Sequence, residues 1–170
     1  MSAGLPERVG AWRMVAQRRI FSGAAPLAQM TRLRDLLADD VGEARYEIEF
    51  GTDEISVPFA AVKVSAELTL TCQRSFEPFV LPVELDSRLG LIREESEENA
   101  LPPGYEALLV PEDGSLVPLD LVEDELLLQV PVAPLSPGGP AQDEVLWSSD
   151  DAEEGAAENP FAALKDWKKL

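Results

Sequence analysis

Between Val62 and Cys72 the chain alternates without a break. Val62, Val64, Ala66, Leu68, Leu70 and Cys72 fall on one side, and Lys63, Ser65, Glu67, Thr69 and Thr71 on the other. A period of two sustained this long predicts a half-buried antiparallel strand. After a short connection, Gln73–Pro78, the set Phe79, Leu81, Val83 and Leu85 repeats the pattern, so the pair predicts a β-hairpin. Pro82 lacks an N–H and belongs at an edge or a bulge. Arg45–Phe50 alternates in the same way, with Tyr46, Ile48 and Phe50 on the apolar side. A second hairpin is predicted at Tyr105–Val117, whose apolar arms flank the turn residues Pro111-Glu112-Asp113-Gly114. Between the hairpins, Glu94–Gly104 reads as an acidic, solvated loop.

Two segments carry a helical period instead. Pro26–Ala38 places Leu27, Met30, Leu33 and Leu37 on one stripe, with a proline near the first turn. Leu119–Val130 opens with Asp120 and Glu123 at capping-box spacing and packs Leu119, Val122, Leu126 and Val130 inward, and Pro131 ends it. The run Glu123–Glu125 reads as the solvated start of that helix. Beyond Pro131, Val132–Glu158 is rich in Pro, Gly, Ser, Ala and acid and has no core-forming pattern. A capped start returns at Asn159-Pro160, followed by Phe161, Leu164 and Trp167 at three-residue spacing and by Lys165, Lys168 and Lys169. A helix this short is marginal alone. It either docks on a partner or folds back on its own acidic domain.

The patterns give an α+β fold: an antiparallel sheet or partly open barrel with two packed helices and a disordered acidic C-terminal tail. The domain is expected over residues 1–133, an acidic linker over 134–158 and a recognition helix over 159–170.

Charge changes this picture by locating the cations. The chain of 170 residues carries 14 Lys and Arg against 32 Asp and Glu, a net −18. Residues 1–50 balance seven Arg against seven acids, whereas residues 51–130 carry a net −13. Such a surface repels DNA and anionic membrane and suits basic protein partners, unless its few cations cluster. Any RNA contact therefore falls to Arg13, Arg18 and Arg19 beside Trp12, with Arg74 at the first hairpin tip. Arginines hold phosphates and an aromatic ring stacks a base. The plain alternative is an amphipathic strand with solvated arginines.

With one cysteine, Cys72, and no histidine, the chain has no internal disulfide, no Ser-His-Asp or Cys-His arrangement and too few soft ligands for a structural zinc site. Gly138-Gly139 lacks the Lys-Ser/Thr of a phosphate loop. No apolar run has the length of a membrane span. These absences lead to the expectation of a cytoplasmic, non-enzymatic binding protein with no cofactor and no metal. Cys72 itself reads as a small hydrophobe closing the strand face.

Taken in order, the strings Leu70-Thr71-Cys72-Gln73-Arg74 with Pro78-Phe79, Leu121-Val122-Glu123-Asp124-Glu125-Leu126-Leu127-Leu128 with Pro131-Val132-Ala133-Pro134, and Asn159-Pro160-Phe161-Ala162-Ala163-Leu164 resemble the YceD family of bacteria and plastids. The resemblance spans nearly the whole chain. It implies a role in accumulation of the large-subunit (23S) ribosomal RNA, through its synthesis, processing or stability. The expected partner is that RNA, a ribosomal protein or a pre-ribosomal particle. The alternative is an acidic adaptor or chaperone for a basic ribosomal protein, touching RNA only indirectly. Many family members carry Cys-Xaa-Arg-Cys, with further Cys or His after the acidic helix, as though for a metal. Here Ser75 holds the second position and residues 134–147 have neither Cys nor His, so no metal is expected.

Overall fold

The computed structural model describes residues 5–137. The expected C-terminal helix, with Phe161, Leu164, Lys165, Trp167 and Lys168, lies outside the described residues, as do residues 138–158 of the expected linker.

The fold is α+β. Its main sheet runs in the order β2 (Ile20–Pro26), β3 (Glu43–Thr52), β4 (Pro58–Thr71), β5 (Pro78–Ile92) and β6 (Glu106–Leu109), open at both edges. Each neighbouring pair among the first four strands is antiparallel. Each alternating run of the sequence lies inside a longer strand: Arg45–Phe50 in β3, Val62–Cys72 in β4, whose end leaves Cys72 in the turn, and Phe79–Leu85 in β5. Register aligns the apolar rows. Phe21, Ile48, Val62 and Ser87 stand side by side, with Ile48 and Val62 fully buried. Pro82 pairs with Glu67 on a stretch of β5 that β6 does not reach, because β6 joins only at Leu89–Ile92. Its missing N–H therefore costs no second ladder.

The helices α1 (Ala11–Ala16), α2 (Thr31–Arg34) and α3 (Pro118–Gln129) contribute to the core. The α3 residues Leu121, Val122 and Leu126 are buried with Val62, Leu68 and Phe50, at about 1.5–3 kcal/mol per side chain. Two helices were expected from the sequence, and the differences have local causes. The stripe at Pro26–Ala38 is not one helix. Pro26 closes β2, Leu27–Gln29 makes a 3-10 turn, and Met30 adopts an extended ψ of 88° before α2. Leu27, Met30 and Leu33 are nonetheless all buried, since a three-residue spacing serves two short turns as well as one helix. The segment bearing Trp12 and Arg13 is a helix, not an amphipathic strand: Ala11, Met14 and Val15 are its buried face.

Tyr105–Val117 is not a hairpin. The turn forms, with Gly114 N–H donating to Pro111 O at 2.8 Å and Gly114 at φ +69°. Its arms part, however: β6 runs parallel to β5, and β7 (Ser115–Leu116) pairs with β1 (Val9–Gly10). Glu94–Gly104 supplies the crossover. Within this loop Glu95–Ala100 is a 3-10 helix, and Leu101 lies on Gly90, where an added Cβ would stand 2.6 Å from Leu101 Cδ2.

The first compact unit extends to Pro137. The segment after α3 is held on the β4–β5 tip: Gln73 N–H donates to Pro134 O at 2.8 Å, and Gln73 Nε2 to Val132 O at 3.3 Å.

Candidate functional site

Arg13 lies within α1, and Arg18 and Arg19 lie in the turn that ends it. The helix starts with Ala11 N–H on Gly114 O at 2.8 Å, and its buried face leaves Arg13 in solvent. At the far end Arg18 N–H reaches Val15 O and Arg19 N–H reaches Met14 O, both at 3.1 Å. Arg18 takes φ +48°, a left-handed conformation in which glycine is more at ease. That turn exposes Arg18 and Arg19 beside the start of β2, where Phe50 N–H donates to Arg19 O at 2.9 Å. The Arg19 guanidinium stands 5.6 Å from the Phe21 ring, which meets Phe50 edge-on at 6.2 Å.

Two further arginines, not picked out from the sequence, join this end of the sheet. Arg93 lies over the Trp12 ring at 4.3 Å. Arg88 lies over Phe59 at 4.5 Å and is 5.5 Å from the Tyr105 ring. The register carries Arg88 across Ala61 and Glu49 to Ile20, next to Arg19. Only the alternation of β5 hinted at Arg88, and nothing local marked Arg93 as the neighbour of Trp12.

Asp53 organises the turn beneath them. It accepts from Val57 N–H at 2.7 Å, Ile55 N–H at 3.0 Å and Tyr105 Oη at 2.7 Å. Desolvation pushes its carboxyl up, but the hydrogen bonds from Tyr105, Val57 and Ile55 outweigh it and hold the group below the usual range.

Arg74 stands apart. It lies in the β4–β5 tip, whereas Arg88 pairs with Ala61 at the other end of β4. By strand rise the intervening residues span roughly 30 Å. The four candidate arginines therefore do not form one patch.

The tip has its own chemistry. Cys72 is fully buried, and Ser136 N–H donates to its Sγ at 3.4 Å. The Ser75 hydroxyl, then the backbone N–H groups of Ser136, Ser75 and Arg74, lower the thiol to about 6. Among the described residues no group of three or more Cys, Asp or Glu is placed to hold a metal ion. A helix long and apolar enough to cross a membrane is likewise absent among them.

The acidic helix also differs from its expected form. Neither Glu123 nor Glu125 is solvated; they are 4% and 6% exposed. The capping box is not made, because Glu123 reaches away from its own helix. Its Oε1 accepts from Arg32 N–H at 2.7 Å and Leu33 N–H at 3.0 Å, and its Oε2 from Arg32 Nη2 at 2.9 Å and Nε at 3.1 Å. Asp124 adds a second contact to Arg32 at 2.6 Å.

An open mixed sheet, with exposed arginines near one end and the buried carboxylate of Glu123 joining α2 to α3, defines an α+β protein. The chain belongs to the YceD family: residues 60–168 match the family model described as large ribosomal RNA subunit accumulation protein YceD. A curated relative, the large ribosomal RNA subunit accumulation protein YceD of Haemophilus influenzae, is 28% identical over 159 residues, 91% of each chain. No solved structure matches the chain.

Proposed function

We propose that the protein is a non-enzymatic, cytoplasmic factor that supports accumulation of large-subunit (23S) ribosomal RNA by binding the RNA or its early particles. The relative's name supports the ribosomal role. The observation that carries direct contact is the exposure of Arg13, Arg18 and Arg19 along α1 and the turn that follows it, in a chain whose net charge is −18. Exposed cations neutralise phosphates and release counterions, which gives affinity without sequence preference. Reversing Arg18 and Arg19 to Glu should abolish retention of ribosomal RNA in a pull-down and leave the circular dichroism unchanged. Retention that persists in the double variant would count against direct contact through these arginines.

One observation favours a second reading, an acidic adaptor for a basic ribosomal protein. The outer face of the sheet is open, and Glu43, Glu47, Glu49, Glu67, Glu84 and Asp86 stand exposed on it around Arg45 and Lys63. A Lys- or Arg-rich segment is the complement of such a face.

A further inference from the structure

Between α1, the β3–β4 turn and the end of β5 lies a cavity of about 440 Å³, lined in part by Trp12, Ser56, Leu91, Arg93, Glu97 and Leu101. We propose that it takes one unpaired base of single-stranded RNA, an inference that rests on the RNA-binding reading above. Leu91, 3% exposed, anchors its apolar base. Trp12 forms one wall and packs its edge towards Gly114, where an added Cβ would stand 3.3 Å from Trp12 Cδ1. The Arg93 guanidinium lies over that ring at 4.3 Å, and its backbone N–H is held by Glu97 Oε2 at 2.8 Å. A planar guanidinium over an indole is a ready stacking surface for a base, and stacking of this kind ignores base identity. Ser56, at φ +69°, brings a polar group to the rim for a base edge.

The surrounding charges set the path of the strand. Arg13 follows Trp12 on α1, and Arg18 and Arg19 follow in the next turn, so phosphates are attracted on that side. Glu94, Glu95, Glu97 and Glu98 repel them on the crossover side. A duplex, whose bases are already stacked and paired, has nothing to insert.

The test uses the full chain carrying Trp147→Phe and Trp167→Phe, which leaves Trp12 as the only tryptophan. At low salt, an oligoadenylate of about ten nucleotides, within the usual footprint, should quench Trp12 emission saturably. Duplex RNA and inorganic polyphosphate should not. Arg93→Ala should weaken oligoadenylate binding about tenfold. The quench in the parent chain needs no folding assumption about that variant. If RNA is retained on a gel while Trp12 emission does not move, or polyphosphate quenches equally, the base site is wrong and RNA binding stands. If no RNA is retained, both readings fall. If an oligoarginine peptide alters Trp12 emission and RNA does not, the cavity serves a protein and the proposal is overturned.

Discussion

Glu123 caps a helix other than its own. Its carboxylate takes the Arg32 and Leu33 N–H groups at the start of α2 and the Arg32 guanidinium at 2.9 Å. A short helix that begins at Thr31 with no side-chain cap of its own thereby has two of its orphan donors satisfied from α3. The same interaction joins elements some ninety residues apart in the chain.

Removing that carboxylate should be costly. Glu123→Ala leaves two N–H groups without their acceptor and the Arg32 guanidinium with Asp124 alone, a loss of about 2–3 kcal/mol. Arg32→Ala should cost less, because Arg32 is half exposed and Glu123 keeps both backbone donors. Urea denaturation of the two variants checks the order. An Arg32 variant less stable than the Glu123 variant would show that the ion pair, not the cap, matters.

Glu125 behaves oppositely. Burial pushes its carboxyl up, the Ser87 hydroxyl offsets part of that, and the charges of Glu106 and Asp124 raise it further. The folded state therefore prefers the protonated form. Ionisation weakens the fold as pH rises through the folded pKa, and the penalty vanishes below the unfolded pKa. Glu125→Gln should raise the Tm at pH 7.5 and lose that advantage near pH 4, as thermal melts at the two pH values would show.

Cys72 has the reverse sign. Its thiol is lowered from 9.0 to about 6, chiefly by the Ser75 hydroxyl and the Ser136 N–H. The stabilisation is complete above the unfolded thiol pKa and is lost as pH falls through about 6. Cys72→Ala should therefore lose more stability at pH 8.5 than at pH 5.5. Thiolate absorbance of the wild type should titrate near 6, and Ser75→Ala should move that titration upward.

RNA binding should distinguish the two ends of the sheet. Arg13→Ala with Arg19→Ala should lower affinity and make the salt dependence shallower, by about 0.7 in slope for each phosphate no longer neutralised. Arg74→Ala should leave that slope unchanged, because the tip lies at the opposite end of β4. Equal losses of affinity for both variants in a salt titration would indicate a footprint spanning the whole sheet.

The strands of the central hairpin were legible because one face of each is buried, which imposes period two on the residues themselves. Every apolar position from Val62 to Cys72 is buried as the alternation requires. The position of α3 was equally plain, within a residue at each end. The arginine cluster was legible only in part: Arg13, Arg18 and Arg19 were apparent from local charge, but Arg88 and Arg93 come to the same end through register and cation–π contact.

By itself, then, the chain determined which residues go inward and where β4, β5 and α3 lie, because burial and period are local properties. Tertiary structure decided which edge β6 joins, since alternation names a strand's faces and not its neighbour. It also decided that the stripe from Leu27 to Leu37 breaks at Met30, where α3 supplies the cap that starts a new helix. The acidic run Glu123–Glu125 shows the division most clearly. Its charges suggest solvent, but an ionised carboxylate can be buried where distant N–H groups and a guanidinium converge on it, and only the folded chain brings Arg32 and Leu33 to Glu123.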